Sequence, residues 1–92
     1  MDTTKELAVG QFVKSKAGRD RDRVFLILDI VDDNFVLLVD GNLRKVDSPK
    51  LKKVRHLVKI NQISTAFADT LKDGKKPDDS LVRREIDKLQ QV

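Results

Sequence analysis

The chain of 92 residues contains no cysteine, tryptophan or tyrosine, and its only histidine is His56. Without cysteine there can be no disulfide and no thiolate metal ligand, and one histidine alone argues against a transition-metal site. No apolar run approaches the ~20 residues that a membrane-spanning helix needs. Residues 1–6 lack the basic and apolar blocks of a secretory signal peptide. These absences predict a soluble cytoplasmic protein without a cofactor.

The positive charge is concentrated in one part of the chain. The formal net charge is +4, with 39% hydrophobic and 37% charged residues, which suffices for one small core. Residues 44–59 hold seven lysines and arginines and a single acid, Asp47, so the remaining residues are slightly negative overall. A local basic patch is typical of a protein with a phosphate-rich partner, and a solvated charged face is the alternative.

The first two thirds of the chain have the pattern of short β-strands. Alternating or continuous apolar runs predict strands over residues 7–16, 24–31, 35–39, 42–46 and 57–60. Gly18 and the pair Asp40-Gly41 provide turn signals between them. Residues 24–31 are apolar almost throughout, which favours a strand covered on both faces. Short strands joined by short turns predict a small closed sheet rather than a parallel α/β unit.

The last third has helical spacing. Apolar residues from Ile60 to Leu71 predict a helix that Asn61 or Ser64 caps and that residues 73–77 end. A second helix opens at residues 78–80 and carries an apolar stripe of Leu81, Val82, Ile86 and Leu89. The pattern leaves open whether these helices pack on the sheet, on each other or on a partner. The predicted organisation is a flexible N-terminus at 1–6, a β-domain at 7–60 and a helical extension at 61–92.

Two segments resemble a known family. Residues 10–20, GQFVKSKAGRD, with the strand at 24–31, resemble the KOW motif of small SH3-like β-barrels that bind RNA or the transcription and translation machinery. Residues 39–46, VDGNLRKV, and 49–57, PKLKKVRHL, are similar to the archaeal and eukaryotic large-subunit ribosomal protein family called fourteen-e, and to short bacterial KOW proteins. The resemblance covers about residues 7–60. Where KOW loops often carry a second glycine, this chain has the alternating charges of residues 19–23.

The resemblance implies an SH3-like β-barrel with one or two C-terminal helices that binds structured RNA, ribosomal RNA in particular, and associates with the ribosome. Ribosomal proteins are further candidate partners, and neither a membrane nor a small-molecule substrate is expected. Cations neutralise phosphates, whereas the four phenylalanines lie in apolar segments and are predicted to be core rather than stacking platforms. The candidate RNA-binding residues are Lys14, Lys16, Gly18, Arg19, Arg21, Arg44, Lys45, Lys50, Lys52, Lys53, Arg55 and His56.

Catalysis is not expected. The chain has no phosphate-cradling glycine loop and no nucleophile-base set, and its adjacent acids at 32–33 and 78–79 suit a turn and a helix start. The competing interpretation is a protein-interaction adaptor that docks on ribosomal or transcription machinery through the barrel or through the apolar stripe of the last helix.

Overall fold

The computed structural model describes residues 3–90, and within them the chain forms one mainly β domain with two C-terminal helices, as predicted. All neighbouring strands are antiparallel, in the order β4-β3-β2-β1-β5. The elements are β1 Gln11–Ser15, β2 Val24–Ile30, β3 Phe35–Val39, β4 Lys50–Lys53, a 3₁₀ turn Val54–His56, β5 Leu57–Ile63, α1 Thr65–Lys72 and α2 Asp79–Gln90. No helix in this part of the chain is long and apolar enough to cross a membrane.

One face of the sheet, here called the inner face, carries the first hydrophobic core. Successive side chains of a strand point to opposite faces, so every second residue contributes. Val54, in the 3₁₀ turn, joins this core between β4 and β5. The core residues are Leu7, Val13, Phe25, Ile27, Val36, Leu38, Val54 and Leu57.

The opposite, outer face is covered by the two helices over part of its length. Phe67 of α1 and Val82 and Ile86 of α2 pack there. The sheet and the β3–β4 loop contribute Phe12, Leu26, Val39 and Val46 to this second core. Of the placements that the pattern left open, the structure shows that both helices pack on the sheet and that they also contact each other.

The β3–β4 loop, residues 40–49, holds the start of α2. The backbone N–H of Val46 donates to Asp79 Oδ1 at 2.8 Å, and Arg83 Nη1 donates to the carbonyl of Gly41 at 2.6 Å. Gly41 has a φ of +78°, and a Cβ there would lie 2.5 Å from the backbone oxygen of Asp79. Glycine at this position therefore allows the helix to approach the loop.

The predicted strand at 42–46 is wrong. Asp40 Oδ1 accepts hydrogen bonds from the backbone N–H groups of Asn42 at 2.9 Å and Arg44 at 2.8 Å. The N–H groups of Asp40 and Gly41 both bond to the carbonyl of Arg44. The Asp40 carboxylate and the turn therefore occupy the backbone N–H and carbonyl groups that pairing with a neighbouring strand would need. The fourth strand is instead the lysine-rich segment directly after Pro49.

The first strand is shorter than predicted and the fifth is longer. Gly10, at φ +87°, lies in a turn before β1, so pairing begins at Gln11 rather than at residue 7. β5 continues past residue 60 to Ile63 and bulges against β1. Gln11 Nε2 fills this bulge by donating to the carbonyls of Ile60 at 2.6 Å and Gln62 at 3.1 Å.

The predicted flexible N-terminus lies partly outside the described residues. Thr4 is buried, and its hydroxyl donates to the carbonyl of Asp32 at 2.8 Å. Its backbone N–H donates to the carbonyl of Asp33 at 2.9 Å. These bonds fasten Thr4 to the β2–β3 turn.

Candidate nucleic-acid interface

The loop between β1 and β2, residues 16–23, lies against the edge strand β4. Lys52 Nζ donates to the carbonyl of Ala17 at 3.3 Å, and the two residues are 35 positions apart in sequence. Gly18 follows with a φ of +76°. A Cβ added to Gly18 would lie 3.7 Å from Lys52 Nζ and, apart from the adjacent residues, would have no other atom within 4 Å. The glycine therefore lets the loop turn and leaves space beside a lysine ammonium.

The 3₁₀ turn meets the start of the same loop. The backbone N–H of Lys16 donates to the carbonyl of His56 at 2.9 Å. Val54 is buried and anchors the turn, whereas Arg55 and His56 are exposed. We call the resulting cationic area the loop–rim surface, and its members are Lys16, Gly18, Arg19, Lys52, Arg55 and His56.

The charged residues of the β1–β2 loop fall into two groups, those in ion pairs and those that are exposed and unpaired within residues 3–90. Asp20 is 5% exposed and its Oδ2 lies 3.0 Å from Arg44 Nη2. Arg23 lies 3.6 Å from Asp40 Oδ2. Both pairs tie the loop to the β3–β4 loop. Arg19 and Arg21 stay exposed, and neither pairs with a carboxylate in the described part of the chain.

Arg44 and Lys45 thus differ in what they can offer a ligand. The Arg44 guanidinium is only partly exposed and is committed to Asp20, and its Nε is buried without a hydrogen-bond partner among residues 3–90. Lys45 is exposed in the turn that follows. Arg44 therefore serves to position the loops, and Lys45 flanks them.

The three lysines of β4 do not form one cluster. Lys50 and Lys52 pair with Leu38 and Val36, whose side chains belong to the inner-face core, so these two lysines lie on the inner side at the sheet edge. Lys53 pairs with Phe35 on the outer side, where its Nζ lies 6.0 Å from the ring centroid. Only Lys52 of the three touches the β1–β2 loop by a hydrogen bond.

Lys14 lies at the margin of this surface. It is exposed on β1 and pairs with Val24 and Val58 of the neighbouring strands. The alternation of β1 places it on the outer side, two residues before Lys16. It can extend the loop–rim surface toward β5.

The prediction that the phenylalanines are core residues is wrong for Phe35, which belongs to neither core. Phe12, Phe25 and Phe67 are buried, as predicted for core residues. Phe35 is half-buried on the outer face beneath Lys53. Phe35 is the first residue of β3, which lies next to the edge strand β4. The sequence does not distinguish such a position from a central one, so it did not predict that Phe35 would be partly exposed.

The acidic pairs and the apolar stripe have structural uses. Asp32 Oδ1 accepts from the N–H groups of Asn34 and Phe35 in the β2–β3 turn, and Asp78 Oδ1 accepts from Leu81 N–H at the start of α2. Val82 and Ile86 of the stripe are buried in the second core. Within residues 3–90 there is no group of three or more acidic, histidine or cysteine side chains that could hold a metal ion.

No protein-family model and no curated protein matches this chain.

Proposed function

We propose that this chain is an RNA-binding protein of the SH3-like, KOW type that docks structured RNA on the loop–rim surface. Ribosomal RNA is the proposed partner, which would associate the protein with the ribosome and translation in the cytoplasm. The observation that carries the proposal is the hydrogen bond from Lys52 to the carbonyl of Ala17, because it joins the glycine loop to the basic edge strand.

The proposed SH3-like barrel is supported by connectivity. β1 to β4 form a meander, and β5 returns to pair with β1 after a 3₁₀ turn. The hydrogen bonds from Lys52 to Ala17 and from Val54 N–H to the carbonyl of Asn34 at 2.8 Å draw the β4 edge toward two of the loops. Such curling is what closure of a short sheet requires.

The proposed mode of binding is electrostatic docking on phosphates. Lys16, Arg55 and Arg19 are exposed, and none of them has an acid within 4 Å in the part of the chain that the structure describes. Of the two acids in the loop, Asp20 is buried and paired with Arg44, which reduces its repulsion of a phosphate, whereas Asp22 is exposed. Cations held at fixed positions recognise the shape of a folded backbone rather than base identity.

A binding titration against large-subunit ribosomal RNA fragments tests this proposal. The double substitution Lys16→Ala/Arg55→Ala should weaken binding at least tenfold. It should also reduce the slope of log affinity against log salt by about 1.5, because two phosphate contacts are lost. The matched control is Lys72→Ala/Lys75→Ala, which removes the same charge from exposed lysines in and after α1.

Two results would contradict the proposal. One is an equal loss of affinity in the test and control variants, which would make binding a generic effect of net charge. The other is equal affinity of the unsubstituted protein for the RNA fragments and for duplex DNA of the same length.

A further inference from the structure

The helices leave part of the outer sheet face uncovered. α1 and α2 pack over the end of this face that carries Leu26, Leu28 and Val39. At the other end, strand pairing aligns six side chains in two rows across β2, β3 and β4. One row is Asp29, Leu37 and Leu51, and the other is Val31, Phe35 and Lys53. We call these six residues the bare-face patch.

The centre of the bare-face patch is apolar and open to solvent. Leu51 is 53% exposed and Val31 is 51% exposed. Phe35 and Leu37, on the middle strand, are half-buried. A contiguous apolar area with charged residues at its margin marks an interaction surface rather than scattered surface hydrophobicity.

The charges at the margin have opposite signs on opposite sides. Asp29 lies on β2 and Lys53 lies on β4, with the apolar residues of β3 between them. Neither residue forms an ion pair with any residue from 3 to 90. A two-fold axis running along β3 would lay β2 of one molecule over β4 of another. The patch is thus complementary to itself in charge, which a symmetric interface requires.

We propose that the bare-face patch binds a second copy of this chain. The two sheets pack face to face, with Phe35 and Leu37 of both copies along the axis and Val31 and Leu51 on either side of them. Asp29 of each copy lies across from the β4 side of the other, within reach of the long side chain of Lys53. Six residues a side make a small interface, so the dimer is weak and concentration-dependent. Lys52 points to the other face, so dimerisation leaves the loop–rim surface accessible.

Sedimentation velocity over about 1 µM to 1 mM protein tests the dimer. The unsubstituted chain should shift from monomer to dimer across this range, and Leu51→Glu should raise the dissociation constant at least tenfold. Leu43→Glu is the matched control, because Leu43 is 58% exposed but lies in the β3–β4 loop outside the patch. A chain that stays monomeric throughout, or equal effects of the two substitutions, would overturn the proposal.

A charge exchange tests the arrangement of the two copies. Asp29→Lys alone and Lys53→Asp alone should each weaken the dimer, because each places like charges across the axis. An equimolar mixture of the two variants should restore association, since each copy then supplies the charge that the other lacks. Failure of the mixture to associate more strongly than either variant alone would refute a face-to-face dimer of this kind. Retained dimerisation in both single variants would refute it equally.

Discussion

The Ser64 hydroxyl donates a hydrogen bond to Glu85 Oε1 at 2.7 Å while its oxygen accepts one from Phe67 N–H at 3.1 Å. One side chain therefore caps α1 and ties it to α2. The Ser64 hydrogen bond lowers the pKa of Glu85 below its usual value of 4.5, against the opposing effect of burial, and Lys88 Nζ, 3.2 Å from Glu85 Oε2, adds to the lowering.

The lowered pKa makes the contribution of Glu85 to stability depend on pH. A carboxylate with a depressed pKa in the folded state stabilises fully above its unfolded-state pKa and loses this effect as the pH falls through the folded value. At pH 7, Glu85→Gln should lower the free energy of unfolding by about 1 kcal/mol. The difference should begin to shrink below about pH 4.5 and vanish at lower pH. Urea unfolding at a series of pH values measures it.

A double-mutant cycle with Ser64→Ala separates this bond from the cap. Ser64→Ala also removes the acceptor for Phe67 N–H, so its own cost includes the lost helix cap. If the hydrogen bond is the cause, Glu85→Gln should cost less in the Ser64→Ala background than in the unsubstituted chain. Strictly additive costs at pH 7 would rule out the bond as the source of the effect.

The buried amide of Gln11 should be essential to the β1–β5 pairing. Both of its partners are carbonyl oxygens, so its nitrogen must face them, and Gln11→Leu removes this donor from both carbonyls. The expected loss in the free energy of unfolding is about 2–4 kcal/mol. Gln62→Leu, at an exposed position of the same bulge, should change stability by less than about 0.5 kcal/mol. Comparable urea midpoints for the two variants would show that the amide does not support the bulge.

Gly41 and Gly74 form a matched pair for testing how α2 is seated. Both have positive φ, +78° and +73°, so alanine is strained by about 1–2 kcal/mol at either position. Around Gly74 there is nothing within 4 Å of an added Cβ, whereas at Gly41 it would collide with Asp79 and Arg83. Gly41→Ala should therefore cost about 1–3 kcal/mol more than Gly74→Ala. Thermal unfolding of both variants measures the difference, and equal losses would mean that the loop yields without disturbing the helix.

Sequence patterns were informative where burial alone decides the structure. β2 and β3 were predicted almost to their ends because each is apolar on both faces, and one face packs on each core. Ser64 was one of two predicted caps of α1, and its hydrogen bond with Phe67 N–H confirms it. Helical spacing also predicted α2 from its acidic start.

The patterns were uninformative where hydrogen bonding by side chains decides. The turn at Asp40-Gly41 was predicted, but Asp40 also binds the backbone N–H groups of Asn42 and Arg44, where the apolar residues Leu43 and Val46 suggested a strand. The lysine-rich β4 lacks alternation because it is an edge strand with one exposed leucine. The lysines of β4 are adjacent in sequence and were therefore predicted to form one site. Their register with β3 places Lys52 and Lys53 on opposite faces of the sheet. The commitment of Arg44 to Asp20 spans 24 positions and has no local sequence signal.

Phe25 and Leu26 are neighbours in sequence but belong to different cores, and both are almost fully buried. β2 therefore separates the two cores, and each of its faces is buried in one of them. Loss of packing on one face of β2 should also weaken the packing on its other face, because both cores share the backbone of this strand. The inner-face core and the helical half should therefore unfold in a single transition, and the amide hydrogens of β2 should exchange with solvent only when the whole domain opens.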